Sequence, residues 1–328
     1  MKTPLISIIL PLYNAVPFLN KGLSAIKQQS YQNWELIAVN DGATDSTTKL
    51  FNELTNGWQQ NINLIEQENA GPYAARNAAL ERINGDYIAF LDIDDLWYDF
   101  HLEAHLNLLE KHSEIDWIYA VNKLLNLTNN RETIAESNFY HNGKPKEFLK
   151  LESKKFGEAN LITDDKATIC QLESGLQLGY QFSLARRSVF ANYRFSTRFR
   201  SQATDQVGVI HALKSGFNIA YVEKAHGEYM VHHDNSSAAS KNISQEKALQ
   251  IRTTMIDGFK ELKDQCDFNK SELAALNKRI ANEYFWNIGY NIFLKNNQIK
   301  LARKYFTQGL KISPVSYTHL TLPTIYSV

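Results

Sequence analysis

Three carboxylates, Asp92, Asp94 and Asp95, follow directly on an apolar segment of the chain. Residues 87–91 read Tyr-Ile-Ala-Phe-Leu, which predicts a buried β-strand. Such a strand ends at the carboxyl edge of an open α/β sheet, where ligands usually bind. Like charges this close repel one another unless a cation lies between them, and hard oxygen ligands suit Mg²⁺ or Mn²⁺ held together with substrate phosphates. The cluster therefore predicts metal-assisted phosphate chemistry.

Two polar loops follow earlier predicted strands and are expected at the same edge of the sheet. Pro-Leu-Tyr-Asn comes after the first strand, with Pro11 ending the strand, Tyr13 able to stack on a base, and Asn14 beside it. Asn-Asp-Gly-Ala-Thr-Asp-Ser comes after the second strand, with Asp41 at the strand tip and a glycine for the sharp turn. Both loops are candidate ligand contacts.

Further candidates lie on predicted helices and in a later loop. Asn-Ala-Gly-Pro-Tyr opens a helix that carries Arg76, whose guanidinium can reach a phosphate or stabilise a carboxylate. Asp205 begins another predicted helix, and a later segment contains Met230, His232 and His233. The histidines are left out of the predicted metal set, because loop histidines more often have other roles.

In this order the motifs resemble those of the family-two inverting glycosyltransferases of the GT-A fold, over roughly the first 237 residues. That family shows Pro-x-Tyr-Asn, Asp-Asp-Gly-Ser-x-Asp, Asn-x-Gly to Ala-Arg-Asn, Phe-Leu-Asp-x-Asp-Asp and a later Glu-Asp pair. The matching positions here are 13–14, 41–45, 69–77 and 90–95, with Thr204-Asp205 at the pair. The resemblance implies an α/β fold with a mostly parallel nucleotide-binding sheet flanked by helices.

The resemblance also implies roles for individual residues. Asp205 would be the general base that takes the proton of an acceptor hydroxyl as this oxygen attacks the anomeric carbon, and Asp94 would coordinate Mn²⁺ or Mg²⁺. Tyr13 and Asp41 would hold the base of the donor. The predicted nucleotide-sugar-binding set is Pro11, Tyr13, Asn14, Asp41, Arg76 and Asp92. The implied partners are a nucleotide sugar, a UDP-sugar first, and a saccharide or lipid-linked acceptor in bacterial cell-surface polysaccharide synthesis.

Two positions depart from the family pattern. Thr204 stands where an acidic residue is usual, which would alter the tuning of the base or the acceptor contacts. Met230 stands where an arginine often precedes the Val-His pair, which would loosen diphosphate binding. Single motifs also have structural interpretations, and for Asp45 we favour a role as turn and helix N-cap residue.

Other functions remain as alternatives. A catalytically impaired carbohydrate or nucleotide-sugar-binding scaffold protein would fit the departures at Thr204 and Met230. A sugar nucleotidyltransferase also needs carboxylates and a metal, but usually has a Gly-rich loop with Lys or Arg after the first strand, where this chain has Pro-Leu-Tyr-Asn. A dinucleotide-dependent oxidoreductase is disfavoured, because no Gly-x-Gly-x-x-Gly motif follows a predicted strand.

The composition limits which classes of binding partner and which cellular compartment we expect. The 328 residues include 35 basic and 35 acidic side chains, so net charge gives no attraction to nucleic acid. Cys170 and Cys266 form neither a disulfide framework nor a paired zinc motif, which favours a reducing compartment. Because no long apolar run is present, we expect a cytoplasmic protein, with peripheral association at the inner face of the cell membrane as one expectation.

Hydrophobic periodicity predicts an alternation of strands and helices, as in a parallel sheet. Strands are expected at 5–10, 34–39, 62–66, 87–91, 115–121 and 219–222, and helices at 16–29, 45–56, 72–83, 100–111, 185–193 and 205–214. Residues 122–179 are expected to be a variable, loop-rich segment.

Three regions are predicted along the chain. Residues 1–240 would form the GT-A glycosyltransferase domain and 241–313 a C-terminal helical region. Residues 314–328 fit no element and are interpreted as the translation of a sequencing adapter, which is not native protein.

Overall fold

A computed structural model describes residues 3–127, 132–199, 204–232 and 243–314. The strands are β1 (Ile6–Leu12), β2 (Trp34–Asp41), β3 (Ile62–Gln67), β4 (Tyr87–Phe90), β5 (Leu96–Trp97), β6 (Trp117–Asn126), β7 (Glu132–Ala135), β8 (Tyr140–His141), β9 (Lys144–Pro145), β10 (Ser153–Phe156), β11 (Ala159–Ile162), β12 (Ser183–Arg186) and β13 (Ile219–Val231). The α-helices are α1 (Leu19–Lys27), α2 (Thr47–Thr55), α3 (Pro72–Leu80), α4 (His101–Lys111), α5 (Ala167–Glu173), α6 (Thr204–Lys214), α7 (Gln245–Gln265), α8 (Lys270–Asn282) and α9 (Ile299–Ile312).

The central sheet has the strand order β10-β11-β13-β6-β12-β4-β1-β2-β3. Strands β3, β2, β1 and β4 run parallel, and so do β6 and β13. Strand β12 lies between β4 and β6 and is antiparallel to both. The fold is therefore the expected α/β type with a mostly parallel sheet, and the carboxyl ends of β1, β2 and β4 meet at one edge.

Side chains alternate between the two faces of the sheet, because successive residues of a strand point to opposite sides. Ile8 and Leu10 of β1 belong to a core cluster that also contains buried leucines of α1 and α4. Ile9 belongs to a second cluster, on the face covered by α3. Helices therefore cover both faces, and their N-termini are directed to the edge where the polar loops lie.

Most predicted elements of residues 1–121 are confirmed within a few residues. The prediction of a helix at 185–193 is wrong, because Ser183–Arg186 forms β12 and Arg187–Phe190 forms a 3₁₀ turn. Leu184 and Ala185 are fully buried between the neighbouring strands, so tertiary pairing decides their conformation. The segment 122–179 contains the short strands β7 to β11 and helix α5 in addition to loops.

The C-terminal region is helical, as predicted. Helix α8 continues into a π-helix at Glu283–Phe293 and a 3₁₀ turn at Leu294–Asn296, which lead to α9. Their apolar side chains form a third core cluster, which includes Leu172 of α5 and Ile210 of α6. The predicted boundary at 240 and almost all of the predicted non-native segment, residues 315–328, lie outside the described residues.

Candidate functional site

The acidic loop that follows β4 places its three carboxylates in different surroundings. Asp94 is half-buried, and its Oδ2 accepts a hydrogen bond of 2.9 Å from Nε2 of His232. The Oδ1 atom of Asp95 accepts a hydrogen bond of 3.0 Å from the backbone N–H of Met230. Asp92 accepts from Gln181 Nε2 at 3.0 Å. The loop is thus fixed on one side to the end of β13.

Asp95 holds this loop against β13 through its hydrogen bond with the backbone of Met230. Its side chain is buried, and its Oδ2 has no hydrogen-bond partner among the residues that the structure describes. Burial raises the pKa of Asp95 well above its ordinary value, and the charges of Asp94 and Asp92 raise it further. This favours the neutral acid at Asp95, which reduces the negative charge of the loop.

Arg76 connects the acidic loop to the predicted base. Its Nη2 donates to Asp92 Oδ1 at 2.8 Å, and its Nη1 donates to Asp205 Oδ1 at 3.2 Å. Burial lowers the pKa of Arg76, but the charges of Asp92 and Asp205 outweigh this effect and raise it. The guanidinium therefore stays charged and holds two carboxylates that are far apart in sequence.

The surroundings of Arg76 are aromatic. Its guanidinium lies 5.3 Å from the ring centre of Tyr73 and about as close to the rings of Phe90, Tyr180 and Phe195. A charge in apolar surroundings interacts strongly with its partners, because little solvent screens it. The rings thus strengthen the connection between the acidic loop and the predicted base.

Asp205 stands in the first turn of α6, with 40% of its side chain exposed. Desolvation of the buried part of this carboxyl raises its pKa, the charge of Arg76 opposes the rise, and the charge of Asp92 adds to it. A hydrogen bond with Tyr73 also lowers the pKa. A carboxylate that is raised in pKa and open to solvent is suited to accept a proton.

Asp41, at the tip of β2, is buried and fixes the start of α3. Its Oδ1 accepts from the backbone N–H of Ala70 and its Oδ2 from that of Gly71, both at 2.8 Å. Gln67 also donates to Oδ1, at 2.7 Å. Asp41 therefore ties the loop after β2 to the helix that carries Arg76, and its contact with a donor base stays a prediction.

Pro11, Tyr13 and Asn14 lie where β1 ends, at the same edge. Pro11 pairs with Val39 of β2, and the Tyr13 side chain is 53% exposed, so its ring is open to a ligand. Asn14 has a positive φ of 47°, and its Oδ1 accepts from the backbone N–H of Thr44 at 2.9 Å. The first two polar loops are therefore bonded to each other.

The structure also describes Asp45, for which a structural role was expected, and two positions that depart from the family pattern, Met230 and Thr204. Oδ1 of Asp45 accepts from the backbone N–H of Thr47 at 3.0 Å, so Asp45 has the expected turn role before α2, but the N-cap position itself is Ser46. The Met230 side chain is 2% exposed, so it is part of the core at this position. Thr204 begins α6, and nothing is described of its side chain.

Three residues at the site were not in the predicted set. His232 contacts Asp94, Gln181 contacts Asp92, and Tyr73 contacts Asp205. His232 directly follows β13, which extends to Val231 and not to residue 222 as predicted, and Tyr73 precedes Arg76 by one helical turn. Gln181 comes from a segment without a motif, so only the three-dimensional arrangement reveals it.

The carboxyl edge of β1, β2 and β4 has the organisation of a GT-A-type transferase. The chain belongs to glycosyl transferase family 2, whose family model matches residues 7–171, half of the chain. An uncharacterized glycosyltransferase of Haemophilus influenzae is 45% identical over 113 residues, which make up 34% of this chain and 45% of that protein.

A second relative has a specific name. The Escherichia coli UDP-Glc:alpha-D-GlcNAc-diphosphoundecaprenol beta-1,3-glucosyltransferase WfgD is 36% identical over 123 residues, which make up 37% of this chain and 47% of that protein. The chain therefore matches less than half the length of these relatives.

Solved structures show the same fold. S. aureus TarS 1-349 in complex with UDP-GlcNAc has a TM-score of 0.62 and 19% identity, covering 94% of this chain and 82% of that chain. The mannosyltransferase PcManGT from Pyrobaculum calidifontis, in complex with GDP-Man and Mn²⁺, has a TM-score of 0.58 and 16% identity, covering 94% and 76%.

Proposed function

We propose that this protein is an inverting glycosyltransferase that moves a sugar from a nucleotide-sugar donor to a saccharide or lipid-linked acceptor in bacterial cell-surface polysaccharide synthesis. The observation that carries the proposal is the bridge that Arg76 forms between Asp92 of the acidic loop and Asp205. It brings a donor-binding carboxylate and a candidate base to one guanidinium. A UDP-sugar is the first candidate donor, because TarS binds UDP-GlcNAc and the name of WfgD specifies UDP-Glc.

The chain's own residues provide the base and the donor contacts. Asp205 accepts the proton of the acceptor hydroxyl while that oxygen forms a bond to the anomeric carbon, and the bond to the nucleoside diphosphate breaks with its electron pair. Attack from the face opposite the leaving group inverts the anomeric configuration. Tyr13, which is exposed at the edge, stacks on the base of the donor.

The residues present fit a divalent cation at the acidic loop. Asp94 and His232 lie in contact, so a carboxylate oxygen and an imidazole nitrogen converge on one place. The nitrogen favours Mn²⁺ over Mg²⁺, which prefers oxygen ligands, and the Mn²⁺ complex of PcManGT agrees with this choice. When bound, the ion would neutralise charge on the diphosphate.

Membrane association would be peripheral, at the inner face of the cell membrane, where a lipid-linked acceptor is present. Within the part of the chain that the structure describes, no helix is both long enough and apolar enough to cross a bilayer. Membrane binding is independent of sugar transfer. Co-sedimentation of the expressed protein with liposomes tests whether it binds a membrane.

The test of the function is nucleoside diphosphate release from a panel of nucleotide sugars, with Mn²⁺ and with EDTA. We expect release from one donor that depends on the metal and is lost in Asp94→Ala. Asp205→Asn should keep donor binding and lose roughly 10²–10⁴-fold in transfer, the usual contribution of a general base. Asp257→Ala, at an exposed position on α7, is the control and should leave the rate unchanged.

The same assay distinguishes the scaffold alternative. Donor binding without release, at a level unchanged in Asp205→Asn, would contradict the enzyme and support a binding protein. Formation of a nucleotide sugar from a sugar phosphate and a nucleoside triphosphate would instead support the nucleotidyltransferase.

A further inference from the structure

Three histidines meet in the interior, apart from the acidic loop. His101 and His105 are one turn apart on α4 and therefore share a face of the helix, and His226 lies opposite on β13. Their side chains are 0%, 0% and 1% exposed. One nitrogen from each ring lies within 4.8 Å of the other two. The cluster thus presents nitrogen ligands to one buried point.

The hydrogen bonds of this cluster are incomplete. Nδ1 of His101 lies 3.2 Å from Nδ1 of His226. Nε2 of His101 and both nitrogens of His105 have no hydrogen-bond partner within the described parts of the chain. Buried polar atoms are almost always paired in folded proteins, so each such nitrogen requires an explanation. A bound metal ion would account for one nitrogen of His105, since each ring offers a single ligand atom.

The protonation of the rings also fits metal binding. Burial lowers the pKa of all three histidines, that of His226 to about 3, and the charge of Lys224 adds to the effect at His226. The imidazoles are therefore neutral at physiological pH. Neutral imidazole is the form that coordinates a metal, so binding needs no net loss of a proton from the rings, and the proton shared between the Nδ1 atoms of His101 and His226 moves to an Nε2 atom.

The separations between the histidine nitrogens match those of a tetrahedral zinc site in part. Zinc binds histidine nitrogen at about 2.0–2.1 Å, so two ligands of a tetrahedron lie about 3.3 Å apart. The separation of 3.2 Å between His101 and His226 agrees with this value. His105 stacks on His226 with ring centres 4.3 Å apart, so its ring would tilt and move inward by roughly 1.5 Å to complete the site.

We propose that His101, His105 and His226 bind a zinc ion that has a structural role. Three imidazoles without a carboxylate suit zinc and disfavour Mg²⁺ or Mn²⁺, so this site differs from the one at Asp94. A water molecule completes the coordination. The ion would link α4 to β13, the strand whose far end holds the acidic loop through Met230.

Metal content of the purified chain tests the proposal. After incubation with Zn²⁺ and gel filtration against a weak chelator, we expect about one zinc per chain, the occupancy of a single site of three imidazoles and a water molecule. His105→Phe and His226→Phe should lose it. His141→Ala, at an exposed histidine, and Asp94→Ala should both keep it. Zinc retained by His105→Phe, or lost from Asp94→Ala, would overturn the assignment.

A second measurement does not depend on the folding of a variant. The wild-type protein, stripped with EDTA, should gain the visible absorption of tetrahedral Co²⁺ when cobalt is added, and its melting temperature should rise with Zn²⁺. Neither signal depends on transferase activity. If no absorption appears and the melting temperature does not change, the rings form only a hydrogen-bonded core cluster and the proposal is wrong.

Discussion

At the scale of single residues, Arg76 determines how the site is assembled. Its guanidinium has two separate donor nitrogens in one plane, and each bonds a different carboxylate, Asp92 or Asp205. A lysine has a single point charge at the end of a flexible chain and would not hold both in this geometry. The arginine therefore fixes the distance between the acidic loop and α6.

Replacing Arg76 with Gln should move the acidic limb of the pH dependence of kcat/KM to higher pH. The charge of Arg76 lowers the pKa of Asp205, so its removal raises that pKa, by roughly 1–3 units. The base acts deprotonated, and transfer falls as the pH falls through its pKa, so the limb moves to higher pH. The pH dependence of kcat/KM measures this shift.

Arg194→Gln, at an exposed arginine, is the matched control and should leave the profile unchanged. An identical acidic limb in wild type and Arg76→Gln would show that Arg76 does not tune Asp205 and would remove the reason for assigning the base to this position.

Much of the site could be predicted from sequence, because motif order identifies strand ends. Contacts of Arg76 bring Asp205 close to Asp92, and the acidic loop after β4 places Asp94 beside Asp92. What could not be predicted is which carboxylate stays neutral, since the surroundings of Asp95 come from β13, far away in the chain. Burial and charge, which set a pKa, exist only after folding.

At the scale of elements, the turn after β2 determines how the loop after β2 approaches the loop before α3. Gly42 has a φ of +68°, a conformation that L side chains rarely adopt. A Cβ at this position would lie 2.7 Å from the backbone nitrogen of Asn69. The turn can therefore approach the loop before α3 only because no side chain is present.

Gly42→Ala should destabilise the fold and weaken donor binding. The left-handed conformation costs about 1–2 kcal/mol, and the contact with Asn69 adds to it by pushing the two loops apart. Chemical denaturation and nucleotide titration measure the two effects. Gly57→Ala is the control, because Gly57 has a φ of +77° and no atom within 4 Å of an added Cβ.

Comparing Gly42→Ala with Gly57→Ala separates the effect of the contact with Asn69 from the effect of backbone strain. Gly57→Ala should lose stability alone and bind the donor normally. Equal nucleotide affinity in both variants would mean that the approach of the two loops has no role in binding.

Elements were predictable where the local pattern and the tertiary context agree. Short apolar runs became β1, β2 and β4 because both faces of these strands are covered by helices. The segment at β12 was mistaken for a helix, because Ala185 and Val189 have the i, i+4 spacing of one helical face. Its pairing with β4 and β6 is non-local, and periodicity in a single segment contains no information on such partners.

At the scale of the whole molecule, the C-terminal helices support the helix that carries Asp205. Ile210 of α6 and Leu172 of α5 are fully buried in the same cluster as Leu276 of α8. Lys214 at the end of α6 donates to Glu272 at 2.7 Å. The helical region and the sheet domain should therefore unfold together.

Tryptophan fluorescence can test this coupling. Trp286 lies in the helical region, and the other tryptophans lie in residues 3–127, so Trp286→Phe leaves fluorescence that reports the sheet domain alone. In that background Leu276→Ala should lower the free energy of unfolding by about 2–5 kcal/mol, the cost of a cavity in a core.

Leu301→Ala, at a leucine that is 42% exposed, is the control and should have little effect. An unfolding midpoint that is the same with and without Leu276→Ala would show that the two regions unfold independently.

The position of β12 has a consequence for the order in which the protein is made. Residues 183–186 occupy the gap between β4 and β6, so these strands cannot be joined until the ribosome has released a segment more than 50 residues beyond β6. A nascent chain that ends earlier exposes two unpaired apolar strand edges, which are sites for intermolecular association. Late closure of the sheet therefore leaves the emerging polypeptide open to association until β12 has been made.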